Sequence, residues 1–350
     1  MNIYDYAEAK GVSTRQILDF TLPANPLGPS AKTKHAMRKA LKATDRPPDP
    51  RTRYLRGFIA RKERIQPENI LFGHGSTQIL DLLLASLKPK KILAPSPLPA
   101  WRARLLDKRG AQVVPVALSE SSRFIPDVEE LLSRLKDADM LLIPNPHPLA
   151  GTVLGASALS EIARVADASG KALVVDEALA GFVRVDSPVE AALHSANALI
   201  LRTFSFFHAL AGMRLGYAIG SQRILDLVAG IIDPGEVSAV AAAGALASLR
   251  DKSFPKRTAE FLATEKAYMT ARLGRIKGIS TIDTACNFLL VAPGSPVGDL
   301  RSRFLQRNIL TETFRTDEGR EMIHLPLRRR RDNARFAAAL ARIMAEEPKA

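Results

Sequence analysis

The tripeptide Gly75-Ser76-Thr77 stands at the start of a segment with helical patterning. Backbone N–H groups and two hydroxyls at such a place can hold a phosphate. Asn145, Asp176 and Ser205 each follow a short apolar run and bring an amide, a carboxylate and a hydroxyl to the ends of those runs. Four of the six histidines, His74, His147, His208 and His324, lie in or beside the segments richest in such residues. Imidazoles can bind a metal or an anion or act as bases. Their spacing matches no metal-ligand motif, so no metal site is expected and separate loop histidines are the plainer reading. Each of the others also has a structural reading, Gly-Ser-Thr as a helix cap and Asp176 as a satisfied core acid.

These residues need a scaffold, and the pattern between about residues 70 and 220 supplies one. Strands are expected at Lys91 to Pro95, Gln112 to Ala117, Met140 to Pro144, Ala172 to Asp176, Leu199 to Phe204 and Leu215 to Gly220. Most are continuous apolar runs, as strands covered on both faces should be. Between them Asp127 is a good N-cap for a helix, and Leu159 to Ala168 has apolar residues at helical spacing. Alternation of this kind implies an α/β architecture with an open, mostly parallel, doubly wound sheet. Ligands of such sheets bind beyond the carboxyl ends of the strands, where Asn145, Asp176 and Ser205 fall. After Asp233-Pro234-Gly235 an Ala-rich helix (Val237 to Arg250) and a long amphipathic helix (Lys256 to Gly274) follow. Strands at Asn287 to Val291 and Glu321 to Leu325 and a helix at Asn333 to Ala345 complete a smaller α+β domain. The expected division is an N-terminal segment, 1–40, packing with the small domain, a large domain, 41–235, and a small domain, 236–350.

Of the 350 residues, 46% are hydrophobic and 25% charged, ordinary for a globular protein of two domains. The N-terminal residues carry no signal-peptide pattern, and no apolar run is long enough for a membrane span. Cys286 is the single cysteine, so no intrachain disulfide can form, and a reducing cytoplasm is expected. The net charge of +14 includes one dense run, Arg328 to Arg331. No zinc-finger, RRM or basic-aromatic pattern accompanies it, so nucleic-acid binding is not expected. A solvated basic patch, or attraction of a small anionic ligand, is the reading preferred.

Five segments in order resemble the class I/II aminotransferases, which use pyridoxal phosphate (PLP), and among them histidinol-phosphate aminotransferase and threonine-phosphate decarboxylase. They are Asp19-Phe-Thr-Leu-Pro-Ala-Asn-Pro-Leu-Gly-Pro29, Leu71-Phe-Gly-His-Gly-Ser-Thr-Gln78, Asn145-Pro-His-Pro-Leu-Ala-Gly151, Val174-Val-Asp-Glu-Ala178, and the stretch from Arg202 to Tyr217. The resemblance implies a fold type I homodimer with its cleft at the subunit boundary. It also implies that Ser205 and Arg214 complete the phosphate cradle of Gly75, Ser76 and Thr77, that Asp176 faces the pyridine nitrogen, and that Asn145 and Trp101 border the cofactor. Asn25, His147, His208 and His324 become candidates for the substrate pocket.

The departures concern the chemistry itself. Aligned without gaps, the last segment puts Phe206 at the position of the lysine that forms the imine and shuttles the α-proton. General acid–base help of that kind contributes roughly 10²–10⁴ in rate. Pro148 stands at the asparagine that bonds the cofactor's phenolic oxygen, Leu179 at a tyrosine, Pro47 at the tyrosine that reaches the neighbouring subunit's phosphate, and His324 where a substrate-carboxylate arginine is expected. Phe206 is expected to fill the vacated volume, where burial would contribute about 1.5–3 kcal/mol. The sequence therefore suggests a homologue without covalent PLP chemistry and with no catalytic residue in place. Such a chain would act as a regulator or partner of a related enzyme, or bind PLP or another phosphorylated small molecule non-covalently. The alternative is an active aminotransferase or amino-acid-phosphate decarboxylase using another amine. No lysine lies between Phe204 and Gly212, and the nearest flanking ones are Lys171 and Lys252.

Overall fold

The structure, a computed structural model, describes residues 2–183, 187–294, 297–316 and 318–346. Its strands are β1 (Leu18–Phe20), β2 (Ile70–Gly73), β3 (Lys91–Ser96), β4 (Gln112–Ala117), β5 (Met140–Pro144), β6 (Ala172–Asp176), β7 (Ala198–Thr203), β8 (Gly216–Gly220), β9 (Ile279–Asp283), β10 (Phe288–Pro293), β11 (Ile309–Arg315) and β12 (Glu321–Pro326). The chain divides into two compact units, 1–27 with 255–350, and 28–254.

The large unit is built on a seven-stranded sheet of order β2-β8-β7-β6-β5-β3-β4. Only β8 runs against its neighbours, pairing antiparallel with both β2 and β7. Successive side chains of a strand face opposite sides of a sheet, and the central strands are apolar on both. Leu141, Ile143, Val175 and Ile200 join one buried cluster, and Met140, Leu142, Val174 and Leu199 join the other. The six expected strands are all present within a residue or two. A seventh strand, β2, which the apolar pattern did not indicate, takes in the first residues of the Leu71–Gln78 segment.

The domain boundaries fall elsewhere than expected, at 27/28 and 254/255 rather than at 40/41 and 235/236. Asp233-Pro234-Gly235 is a turn within the large unit. The helix after it, Ala239–Arg250, buries Ala241 and Ala245 in the sheet's core and packs against the helix Ala31–Ala40. Met37 reaches so close to Gly244 that a Cβ there would stand 2.8 Å from its side chain.

The small unit carries a sheet of order β1-β11-β12-β10-β9. Its helix Arg330–Ala345 buries Phe336, Leu340 and Ile343. The Arg328–Arg331 run is only partly a solvated patch. Arg328 is half-buried and donates through Nη2 to the Asp19 (2.6 Å) and Leu22 (3.0 Å) carbonyls, and Arg330 pairs with buried Glu265 at 2.9 Å. Cys286 is buried, and burial pushes its thiol up to about 12. Among the described residues no helix is long and apolar enough to cross a membrane.

Candidate functional site

The phosphate-type residues converge at one edge of the large sheet. β2 ends at Gly73, and the chain turns through Gly75 into the helix Ser76–Leu87. Gly75 has φ +82°, open to glycine and rarely to other residues. A Cβ on it would lie 3.0 Å from Arg214 Nη2, so the guanidinium stands directly against this turn. On the other side, a Cβ on Gly216 of β8 would come within 2.2 Å of the Ser76 amide nitrogen. Two missing side chains thus let a helix start, a strand and an arginine close on one point. Thr203 of β7 pairs with Gly216, and its hydroxyl donates to Ser205 Oγ at 2.9 Å. The first-turn N–H groups of a helix have no acceptor within it, and here a guanidinium stands beside them. Arg214 stands against Gly75, Ser76 opens the helix followed by Thr77, and Ser205 is joined to the neighbouring strand through Thr203.

The carboxylate is differently placed from expectation. Asp176 ends β6 and is 6% exposed, and its Oδ1 accepts from the Ala178 amide at 3.2 Å. Its Oδ2 accepts from Nη2 of Arg102, a side chain itself only 2% exposed. The Arg102 guanidinium also lies over the Trp101 ring, 4.4 Å from its centroid, so one face of that indole is covered. Arg102 Nη1 is buried and has no partner among the described residues. Sequence reasoning missed this arginine. The signal was present, because in the helix Ala100–Lys108 Arg102 stands four residues before buried Leu106, on the inward face.

Other candidates are committed to the scaffold. Asn145 follows β5 and its amide clamps the loop beyond it, donating to the Leu154 carbonyl (3.2 Å) and accepting from the Leu154 amide (2.8 Å). That turn occupies both ends of the amide expected to border a cofactor. His147 is buried in the same loop, its Nδ1 accepting from the Ala150 amide at 3.1 Å. Burial lowers its pKa to about 4, against the opposing effect of the Pro95 carbonyl. His74 is exposed. His208 lies between the rings of Phe204 (5.2 Å) and Phe207 (5.1 Å), and burial with help from Lys62 lowers it to about 4. In the small unit Asn25 donates to Thr258 Oγ1 at 2.9 Å, and the buried His324 ring sits 4.1 Å from that of Phe288. Among the described residues no three His, Cys, Asp or Glu side chains gather as metal ligands.

Phe206 does not become core as expected. It stays half-buried, while its neighbours Phe204 and Phe207 are buried. Both flank it in the loop Phe204–Leu210, whose reversal sets Ala209 at φ +55°. Leu179 is buried, Pro148 half-buried and Pro47 exposed.

Residues 16–319 match the sequence model of the class I and II aminotransferases. The chain belongs to that family. It is similar to the histidinol-phosphate aminotransferase of Methylobacillus flagellatus, with 29% identity covering 98% of this chain and 93% of the relative. The threonine-phosphate decarboxylase of Salmonella typhimurium is 26% identical, covering 98% and 95% of the two chains. Among solved structures, the Sinorhizobium meliloti histidinol-phosphate aminotransferase in complex with pyridoxal-5'-phosphate superposes with a TM-score of 0.89. The sequences there are 20% identical, over 99% of this chain and 95% of the other, a likeness of fold. Both enzyme names anticipated from the sequence motifs thus recur among the relatives of this aminotransferase-family chain.

Proposed function

We propose that this aminotransferase-family chain is a non-catalytic binding protein that holds a phosphorylated small molecule without forming an imine. The observation that carries the reading is the buried Arg102–Asp176 pair. PLP, the family's cofactor, needs three things of a protein: an amine for its aldehyde, a carboxylate for its ring nitrogen and an anchor for its phosphate. The anchor fits, in Gly75, Ser76, Thr77, Ser205 and Arg214. The other two do not. Phe206 offers no amine, and the carboxylate of Asp176 already holds a guanidinium. A protonated ring nitrogen brought to Asp176 would meet a second cation in a site where water screens little. The donor set suits a ligand with a phosphate at one end and an electron-rich group at the other, facing Arg102 Nη1. A homodimer, expected from likeness to the family, and a cytoplasmic role as regulator or partner of a related enzyme belong to the same reading.

The test is to add excess PLP, record the absorption spectrum, reduce with borohydride and weigh the protein. The reading expects no imine band and no covalent adduct, with inorganic phosphate raising the melting temperature saturably and Arg214→Ala abolishing that rise. An adduct on any lysine, or turnover of histidinol phosphate or threonine phosphate, would overturn it in favour of an active enzyme working through another amine.

A further inference from the structure

A cavity of about 290 Å³ lies within the large unit on the face of the sheet opposite the Arg102–Asp176 pair. The alternation along β6 explains the separation. Val174 packs in the cluster that holds Leu106 of the Arg102 helix, while Val175 packs in the other cluster with Phe204 and Tyr217. Asp176 therefore faces Arg102, and Glu177, the next residue, faces this cavity. Within it Arg202 donates through Nε to Glu177 Oε2 (2.8 Å) and pairs through Nη1 with Glu63 (2.9 Å). Burial alone would lower the Arg202 pKa, and Tyr217, Glu177 and Glu63 together hold it above its ordinary value.

Three buried polar atoms lining the cavity have no partner among the described residues: Glu177 Oε1, Ser187 Oγ and His208 Nδ1. The Glu177 side chain is wholly buried. A carboxylate oxygen accepts only, a hydroxyl accepts as well as donates, and a neutral imidazole accepts through one nitrogen. His208 is neutral at physiological pH, since burial holds its pKa near 4. Leaving such acceptors unmet is unfavourable, most of all for a charged group. Among the described residues the charged side chains lining the cavity are Glu63, Glu177, Arg202 and Lys62, of which Lys62 is exposed and Glu177 wholly buried. Phe204, Phe207 and Leu249 add apolar wall.

We propose that this cavity is a second ligand site, separate from the phosphate cradle, that takes a small organic ammonium. An ammonium group carries three N–H donors and one positive charge, matching three acceptors of which one belongs to a wholly buried carboxylate. The short apolar body of such an amine rests on the Phe204 and Phe207 rings. Anions are disfavoured by the buried Glu177 oxygen, and a phosphate belongs on the other face.

The experiment titrates the whole protein with n-butylammonium chloride, and with sodium butyrate and n-butanol as controls, by calorimetry and thermal shift at matched ionic strength. Saturable binding of the amine alone is expected. Ser187→Ala should weaken it about tenfold, Leu249→Trp should abolish it by filling the cavity, and Arg214→Ala should leave it unchanged. Both cavity variants keep the Arg202 ion pairs, and their folding is checked by circular dichroism. Absence of amine binding (a cavity holding water only), equal binding of butyrate, or binding that survives Leu249→Trp in a folded protein would each overturn the proposal.

Discussion

Asp176 and Glu177 are consecutive residues, and each holds an arginine on a different side of the same sheet, Asp176 taking Arg102 and Glu177 taking Arg202 at 2.8 Å. The strand's pleat makes this division, and it separates two polar sites across one layer of backbone.

Under the proposed reading, an amine placed at position 206 should not by itself make an enzyme. Phe206→Lys is expected to turn over histidinol phosphate or threonine phosphate at least about 10²-fold more slowly than a working relative, because the carboxylate needed at the ring nitrogen remains engaged by Arg102. Steady-state assays with added PLP check this. Substantial turnover by the single variant would show that the Arg102–Asp176 pair opens readily.

The same pair should behave as a buried ion pair in stability measurements. Arg102→Met leaves Asp176 without its cation and should cost about 3–5 kcal/mol. Arg102→Met combined with Asp176→Leu should recover most of that loss, because no isolated charge remains. Urea denaturation of the two variants decides it. Equal destabilisation in both would mean that packing around Arg102, rather than its charge, matters.

At the phosphate cradle, Gly75→Ala should cost about 1–3 kcal/mol from its φ of +82° alone. It should also weaken inorganic phosphate, because the new methyl group meets Arg214 Nη2 at 3.0 Å. Comparing the phosphate-dependent melting shift of wild type and variant tests the second effect independently of the first.

His147 and His208 give the protein an acid limit. Both are lowered by burial from 6.5 to about 4, so between those values the unfolded chain binds protons that the folded chain does not. Stability is therefore intact above pH 6.5 and falls as the pH drops towards 4, by about 3 kcal/mol for each histidine. His208→Phe should flatten the slope between pH 6.5 and 4 by about half. A denaturation midpoint series across that range measures it.

Much of the large unit was legible because its strands are apolar on both faces and bounded by helical spacing, and burial on both faces of the sheet bears out that pattern. β2 escaped because four residues ending in a glycine are too few to show a pattern. Helix Ala239–Arg250 was assigned to the wrong domain because a Pro-Gly break looks the same whether it joins two domains or two helices of one. At the site, glycines and hydroxyls that need only local geometry were recognised. Arg102 was not, since a buried arginine is identified by its partner, and Asp176 lies 74 positions further along. Asn145 and His147 have side chains that could meet a ligand, but the loop they belong to uses their hydrogen-bonding groups for itself.

The small unit is assembled from the two extremes of the chain. Its first strand lies parallel to one almost three hundred residues later, Leu18 against Ile309, and Arg328 fastens the carbonyls of Asp19 and Leu22. On a ribosome the opening segment must therefore wait, its apolar side uncovered, while residues 28–254 acquire their own core. The partner strand, Ile309–Arg315, emerges only after all of those residues, so Leu18–Phe20 finds its place later than the segment that follows it.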